Sequence, residues 1–135
     1  MSGAVTALRR AVRARLAADA ALSALTAGPK IFDETPRAVE PPYITFGDAQ
    51  ARDLSSTSYP GAEQVLVLQV WSAQGGAREA LDIADRVTFL LDDAALTLAG
   101  HRLINLRLTA IEITREAEGR FFRAALRLRA VTEAV

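Results

Sequence analysis

The segment Val70–Leu81, VWSAQGGAREAL, decides the class of fold. An apolar, strand-forming run ends at Ser72, two glycines follow, and a helical pattern begins. Many phosphate-binding α/β enzymes open this way, but the chemistry they need is missing. A Walker loop requires a lysine and a hydroxyl directly after its second glycine. Here Gly75-Gly76 is followed by Ala77-Arg78-Glu79, and the only lysine is Lys30. The dinucleotide fingerprint Gly-x-Gly-x-x-Gly is absent too. The glycines are read as a reversal from strand to helix, through backbone angles that a Cβ would block.

Reading outward, Glu63–Ser72 carries Val65 and Val67 on one face and Leu66, Leu68 and Val70 on the other. That pattern predicts a central strand covered at least partly on both faces. From about Gly76 to Leu91, Ala80, Ala84, Val87 and Leu91 recur at helical spacing, with Ile83 and Leu90 widening the stripe. In Leu103–Thr114 the apolar phase is even at Ile104, Leu106 and Leu108, then odd at Ile111 and Ile113. A period-2 pattern changes phase only through an irregularity, expected near Thr109-Ala110. Arg120–Thr132 alternates without a break.

Near the start, Val5, Leu8, Val12 and Leu16 form one helical stripe, with Arg9, Arg10 and Arg13 opposite. That basic face is either solvated or a dock for an acidic partner or phosphates. A short helical turn over Asp19–Ala27 stops at Gly28-Pro29, and Ile31-Phe32 and Tyr43–Phe46 read as strands. The chain is expected to be one α+β domain over residues 1–135. Its mostly antiparallel sheet of about four to five strands carries two main helices, in the order α-β-β-β-α-β-β.

Composition narrows the function. The 16 basic and 16 acidic residues cancel, whereas a dedicated nucleic-acid binder carries a basic excess. There is no cysteine, so disulfides, zinc–thiolate sites and thiol chemistry are excluded. His101 is the only histidine, and no Gly-x-Ser-x-Gly elbow supports Ser55, Ser56 or Ser58 as a nucleophile. Asp92-Asp93 read as a helix end rather than half a metal site. No catalytic set, cofactor or metal is expected. Arg9, Arg10, Arg13 and Arg15 interrupt the apolar N-terminal residues, so no signal peptide is read there.

Two features remain. Asp48–Gly61, DAQARDLSSTSYPG, is polar and ends in a turn signal, and is read as a long loop at about 48–62. Arg52, Asp53, Leu54 and Tyr59 are its candidate partner contacts, ordering on docking. Arg123, Arg127 and Arg129 share one face of the last strand, with Arg107 on its neighbour. This candidate basic face would meet solvent, a neighbour's carboxylates or phosphates.

The order of PPYITFGD, VWSAQGGAREALDIADRV, LTLAGHRLINLRL and FRAALRLRAVTE resembles the small tail-completion, or tail-terminator, proteins of long-tailed bacteriophages and gene transfer agents. The resemblance spans nearly the whole chain. It implies a structural protein at the neck of a phage or phage-like particle, assembled in the bacterial cytoplasm. Such proteins cap the head-proximal end of the tail tube as a six-membered ring, stop its polymerisation and join it to the head connector. The implied partners are further copies of the chain, the tube protein and neck proteins. DNA would pass through without sequence-specific binding, and no membrane is involved. Alternatives are another neck or minor tail part, or an unrelated small ligand-binding or enzymatic α+β domain.

Overall fold

A computed structural model describes every residue except 1–2, 35, 56–59, 75 and 117–120. Three helices, α1 (Ala4–Ala17), α2 (Ala20–Thr26) and α3 (Arg78–Leu91), accompany six strands. The strands are β1 (Ile31–Phe32), β2 (Tyr43–Asp53), β3 (Gly61–Ser72), β4 (Thr97–Leu98), β5 (His101–Glu116) and β6 (Phe121–Ala134). They form one sheet in the order β1-β2-β3-β6-β5-β4. Only β1 and β2 run parallel; the other pairs are antiparallel.

The α+β class therefore holds, with two corrections. The sheet has six strands rather than four or five, because Thr97–Leu98 pairs with His101-Arg102. Two residues carry no periodicity, so only the pairing partner defines that strand. The turn at Asp19–Ala27 is a true third helix. Asp19 accepts from the Leu22 N–H at 2.8 Å at its start, and Ala27 adopts a left-handed conformation (φ 58°) at its end.

The helices cover one face. From β6, Phe122, Ala124, Leu126, Leu128 and Ala130 point into the core, beside Leu66, Leu68 and Val70 of β3. Leu8, Val12 and Leu16 of α1 and Ile83, Val87 and Leu91 of α3 close over them. Helix α1 touches β1 and β2 near one rim of the sheet and β4 at the other, so the sheet curls around the helical layer. Among the described residues the second face has no helical cover. Val65 and Val67 are half-buried on it, as expected of a strand at least partly covered on both faces. Val67 stands against Gly47, where a Cβ would sit 3.3 Å from the valine Cγ1.

The expected phase change is present. The β5–β6 register shifts between Leu108 and Ala110, and again between Leu103 and Asn105, which the pattern did not reveal. After the first of these bulges Ile111 opposes Leu126 and Ile113 opposes Ala124, so both isoleucines face the helical side. Both stay partly exposed, since the helical layer does not fully cover them. Beyond its short pairing with β4, β5 is an outer strand. Asp92 and Asp93, just after α3, cover part of its edge. The Asp92 carboxylate accepts from the Leu108 N–H at 2.9 Å, and the Asp93 N–H donates to the Leu106 carbonyl at 2.7 Å.

Asp19 ties the helical layer together. Its carboxylate accepts from Arg86 Nε and Nη2 of α3, both at 2.8 Å, while capping α2. The Arg86 guanidinium, and then the Leu22 amide, hold its carboxyl at about 2. An unfolded chain returns it to about 3.9. Because the folded value is lower, the contribution is present above about pH 4 and is lost as pH falls toward 2. Asp19→Asn is therefore expected to be less stable than the parent at about pH 5. The gap should narrow as pH falls toward 2 in urea unfolding followed by circular dichroism. A gap independent of pH would refute the assignment.

Candidate functional site

The strand-to-helix passage is closed by its own side chains. Ser72 Oγ donates to Glu79 Oε1 at 2.6 Å, the Gln74 N–H donates to Ser72 Oγ at 3.1 Å, and the Glu79 N–H donates to Gln74 Oε1 at 3.0 Å. A phosphate needs open amides and positive potential at a helix N-terminus. Here a carboxylate occupies the first turn and one of its amides is already bonded. Among the described residues no group of three or more His, Cys, Asp or Glu side chains is arranged to hold a metal. No helix among them is long and apolar enough to cross a membrane.

The first part of the segment read as a long polar loop, Asp48–Asp53, is strand. β2 continues to Asp53, with Arg52 opposite Glu63 and Asp53 opposite Ala62, and the Leu54 N–H donates to the Gly61 carbonyl at 2.9 Å. Residues Asp48–Asp53 are all exposed. Their polarity reflects solvent on both sides, and their conformation is set by pairing with β3. Arg52 pairs with Glu63 at 3.2 Å. Asp53 accepts from the Ser55 hydroxyl and from its amide, which lowers its carboxyl below the usual range. Arg52, Asp53 and Leu54 thus extend one hairpin arm, while Tyr59 lies outside the described residues.

The candidate basic face is present but mostly self-neutralised. Arg123, Arg127 and Arg129 occupy the uncovered face of β6, alternating with the core residues. Arg129 Nη2 lies 2.6 Å from Glu63 Oε2, and Arg123 Nη2 lies 3.0 Å from Glu116 Oε1. Arg107 opposes Arg129 in register and reaches Asp92 at 3.0 Å. The Leu108 amide, and then the Arg107 guanidinium, hold the Asp92 carboxyl below the usual range. Arg127 makes no ion pair with a described residue. The partner that sequence reading missed is Glu63, which receives both Arg52 and Arg129. Its position two residues before Val65, on the same face, becomes informative only once β3 is known to lie between β2 and β6.

Around Arg123 and Arg127 the uncovered sheet forms a shallow groove of about 380 Å³, also lined by Asp48, Val67, Gln69 and Glu112. Trp71 stands on this face rather than in the core. Its Nε1 donates to Thr45 Oγ1 at 3.0 Å, and the Arg123 guanidinium lies 5.7 Å from its ring centroid. Arg123 Nε is shielded from solvent with no hydrogen-bond partner among the described residues. The arrangement has paired charges, an amphipathic aromatic and a broad open face. It holds no activated nucleophile or acid–base pair, and it suits protein contact.

A second cleft, of about 200 Å³, lies beside α1. Thr6, Arg9, Arg10 and Arg13 line it with Asp33 and Phe46. Arg9 pairs with Asp33 at 3.2 Å and lies over the Phe46 ring, 4.5 Å from its centroid. Arg13 donates to the Ile31 carbonyl at 3.3 Å.

Residues 10–133 match the family described as tail completion protein gp17. No curated protein matches the chain. Among solved structures, a chain from the virion of a native gene transfer agent (GTA) particle superimposes with a TM-score of 0.90 at 29% identity. The match covers 99% of this chain and 100% of that one. The gp17 protein of bacteriophage SPP1 shares the fold, with a TM-score of 0.63 at 22% identity over 94% of this chain and 89% of that one.

Proposed function

We propose a definite station for this chain, which belongs to the tail completion gp17 family of structural tail proteins, not enzymes: it closes the head-proximal end of a tail tube. In this reading six copies form a ring that stops tube polymerisation and presents a surface to the head connector. The genome passes through the ring without being read. The observation that carries the reading is the likeness to a chain of a native GTA virion, which covers 99% of this chain and 100% of that one.

The molecule offers what the task needs. A ring is built from heterologous contacts, in which two different faces of one subunit meet. An uncovered sheet face with paired charges, an arginine cleft beside α1 and an exposed hairpin arm are three distinct surfaces on one small body. Self-neutralised arginines suit a channel wall that lets DNA slide, because a bare row of guanidiniums would hold phosphates. Electron cryomicroscopy of intact particles tests the reading. Six copies at the junction between tail and head are expected. Density for the chain elsewhere in the particle, or another number of copies, would overturn it.

A further inference from the structure

We propose that the outward stripe of α3 on one copy seats in the arginine cleft beside α1 on the next. The proposal rests on the ring reading for the number of copies and deepens it by naming the two faces that meet.

The cleft is positive by count. Among the described residues, three guanidiniums line it against one carboxylate, that of Asp33. Its floor is the buried Phe46 ring under Arg9, which backs that guanidinium and leaves its charge facing the cleft. Arg10 and Arg13 are exposed at its rim.

The stripe is its chemical complement. Asp82, Asp85 and Phe89 follow one another at three- and four-residue spacing, opposite the buried Ala80, Ala84, Val87 and Leu91. The pair formed by Arg78 and Asp82 is long, at 4.0 Å, and open to solvent. Asp85 makes no ion pair with a described residue. Phe89 is 70% exposed, the highest value for a large hydrophobic side chain inside a described helix or strand. The Arg86 guanidinium, which Asp19 holds in turn, lies over one face of its ring, 4.8 Å from the centroid, and leaves the other face outward. A phenyl presented this way on a helix that is otherwise well packed is an anchor awaiting a pocket. Guanidiniums beside a ring supply that pocket through cation–π contact, and the two carboxylates meet the rim arginines through charge-assisted hydrogen bonds. Neither face complements itself, so the contact joins unlike faces of successive copies.

The test uses exposed positions, so that folding is spared. One variant carries Arg10→Glu with Arg13→Glu, and the other carries Asp82→Lys with Asp85→Lys. Made singly in the cell that produces the particle, each should lower the yield of complete particles by about a hundredfold, roughly tenfold for each reversed charge. Made together they should restore the yield to within severalfold of the parent. Copies then alternate, and each reversed cleft receives a reversed stripe. As a second readout, the chain lacks cysteine. Arg13→Cys combined with Asp85→Cys should therefore give a ladder of disulfide-linked oligomers on oxidation of particles, and either substitution alone should give none.

Parental yield from either charge variant would overturn the proposal. So would a cleft variant that fails while the stripe variant assembles, since the cleft would then hold some other protein. Failure of the mixture to recover, with no ladder, would overturn it as well. A ladder that stops at two copies would uphold the contact and remove the ring.

Discussion

Loss of this protein is expected to leave filled heads and separate tails in the same lysate, with almost no joined particles. A tube built from heterologous contacts ends each layer in the face that began the next, so nothing in the tube itself stops growth. A cap that presents one matching face and one different face ends growth and supplies the surface the head needs. Without it both functions fail together. Tails should vary in length beyond the parent's range, and infectious or gene-transferring titre should fall to the background of the assay. Supplying the gene in trans should restore both. Negative-stain microscopy with length measurement reads the outcome. Normal joining and uniform tails after deletion would remove the proposed station, whatever the fold.

The second large effect concerns the core. Leu126 of β6 is fully buried, opposite Leu68 of β3 and Ile111 of β5. Truncating such a leucine costs its transfer free energy and leaves a cavity, together about 3–5 kcal/mol. Against a total of about 5–15 kcal/mol this is a severe loss. The melting temperature of Leu126→Ala should fall by roughly 10 °C or more. Ile111→Ala removes the same three carbon atoms from the same cross-strand row. Its isoleucine is 40% exposed, so it should cost about 1 kcal/mol. The contrast between neighbours checks that the helices close over β6 and leave β5 partly bare. Equal losses would contradict the packing.

How much of this was legible beforehand can be judged residue by residue. The alternation of Phe122, Ala124, Leu126 and Leu128 with arginines gave β6 its two faces, and the structure keeps them. The phase switch after Leu108 located a bulge, because one inserted residue must move every later side chain across the sheet. Thr97–Leu98 was not legible, since a two-residue strand has no period. The arm at Asp48–Asp53 was misread for a related reason. Six exposed residues, four of them polar, look the same in a loop and in an unsupported strand, and only β3 decides between them. At the candidate site, the arginine row was visible but its neutralisation was not. Glu63 lies 66 residues from Arg129 and Asp92 lies 15 from Arg107, so neither pairing shows in the sequence, while Glu116 meets Arg123 between the consecutive strands β5 and β6. The arginines of α1 were visible as a face. Their union with Phe46 and Asp33 into a cleft needed the curl of the sheet.

That curl has a mechanical side. A twisted sheet left alone flattens or tightens at small cost, much as a bow without a string changes its bend. Here α1 reaches from β1 and β2 on one rim to β4 on the other, with Leu8, Val12 and Leu16 pressed into the core between them. The helix therefore ties the two rims together through the core, and the bend of the sheet is set with it. In the proposed ring, copies braced in this manner would keep the bore at one width.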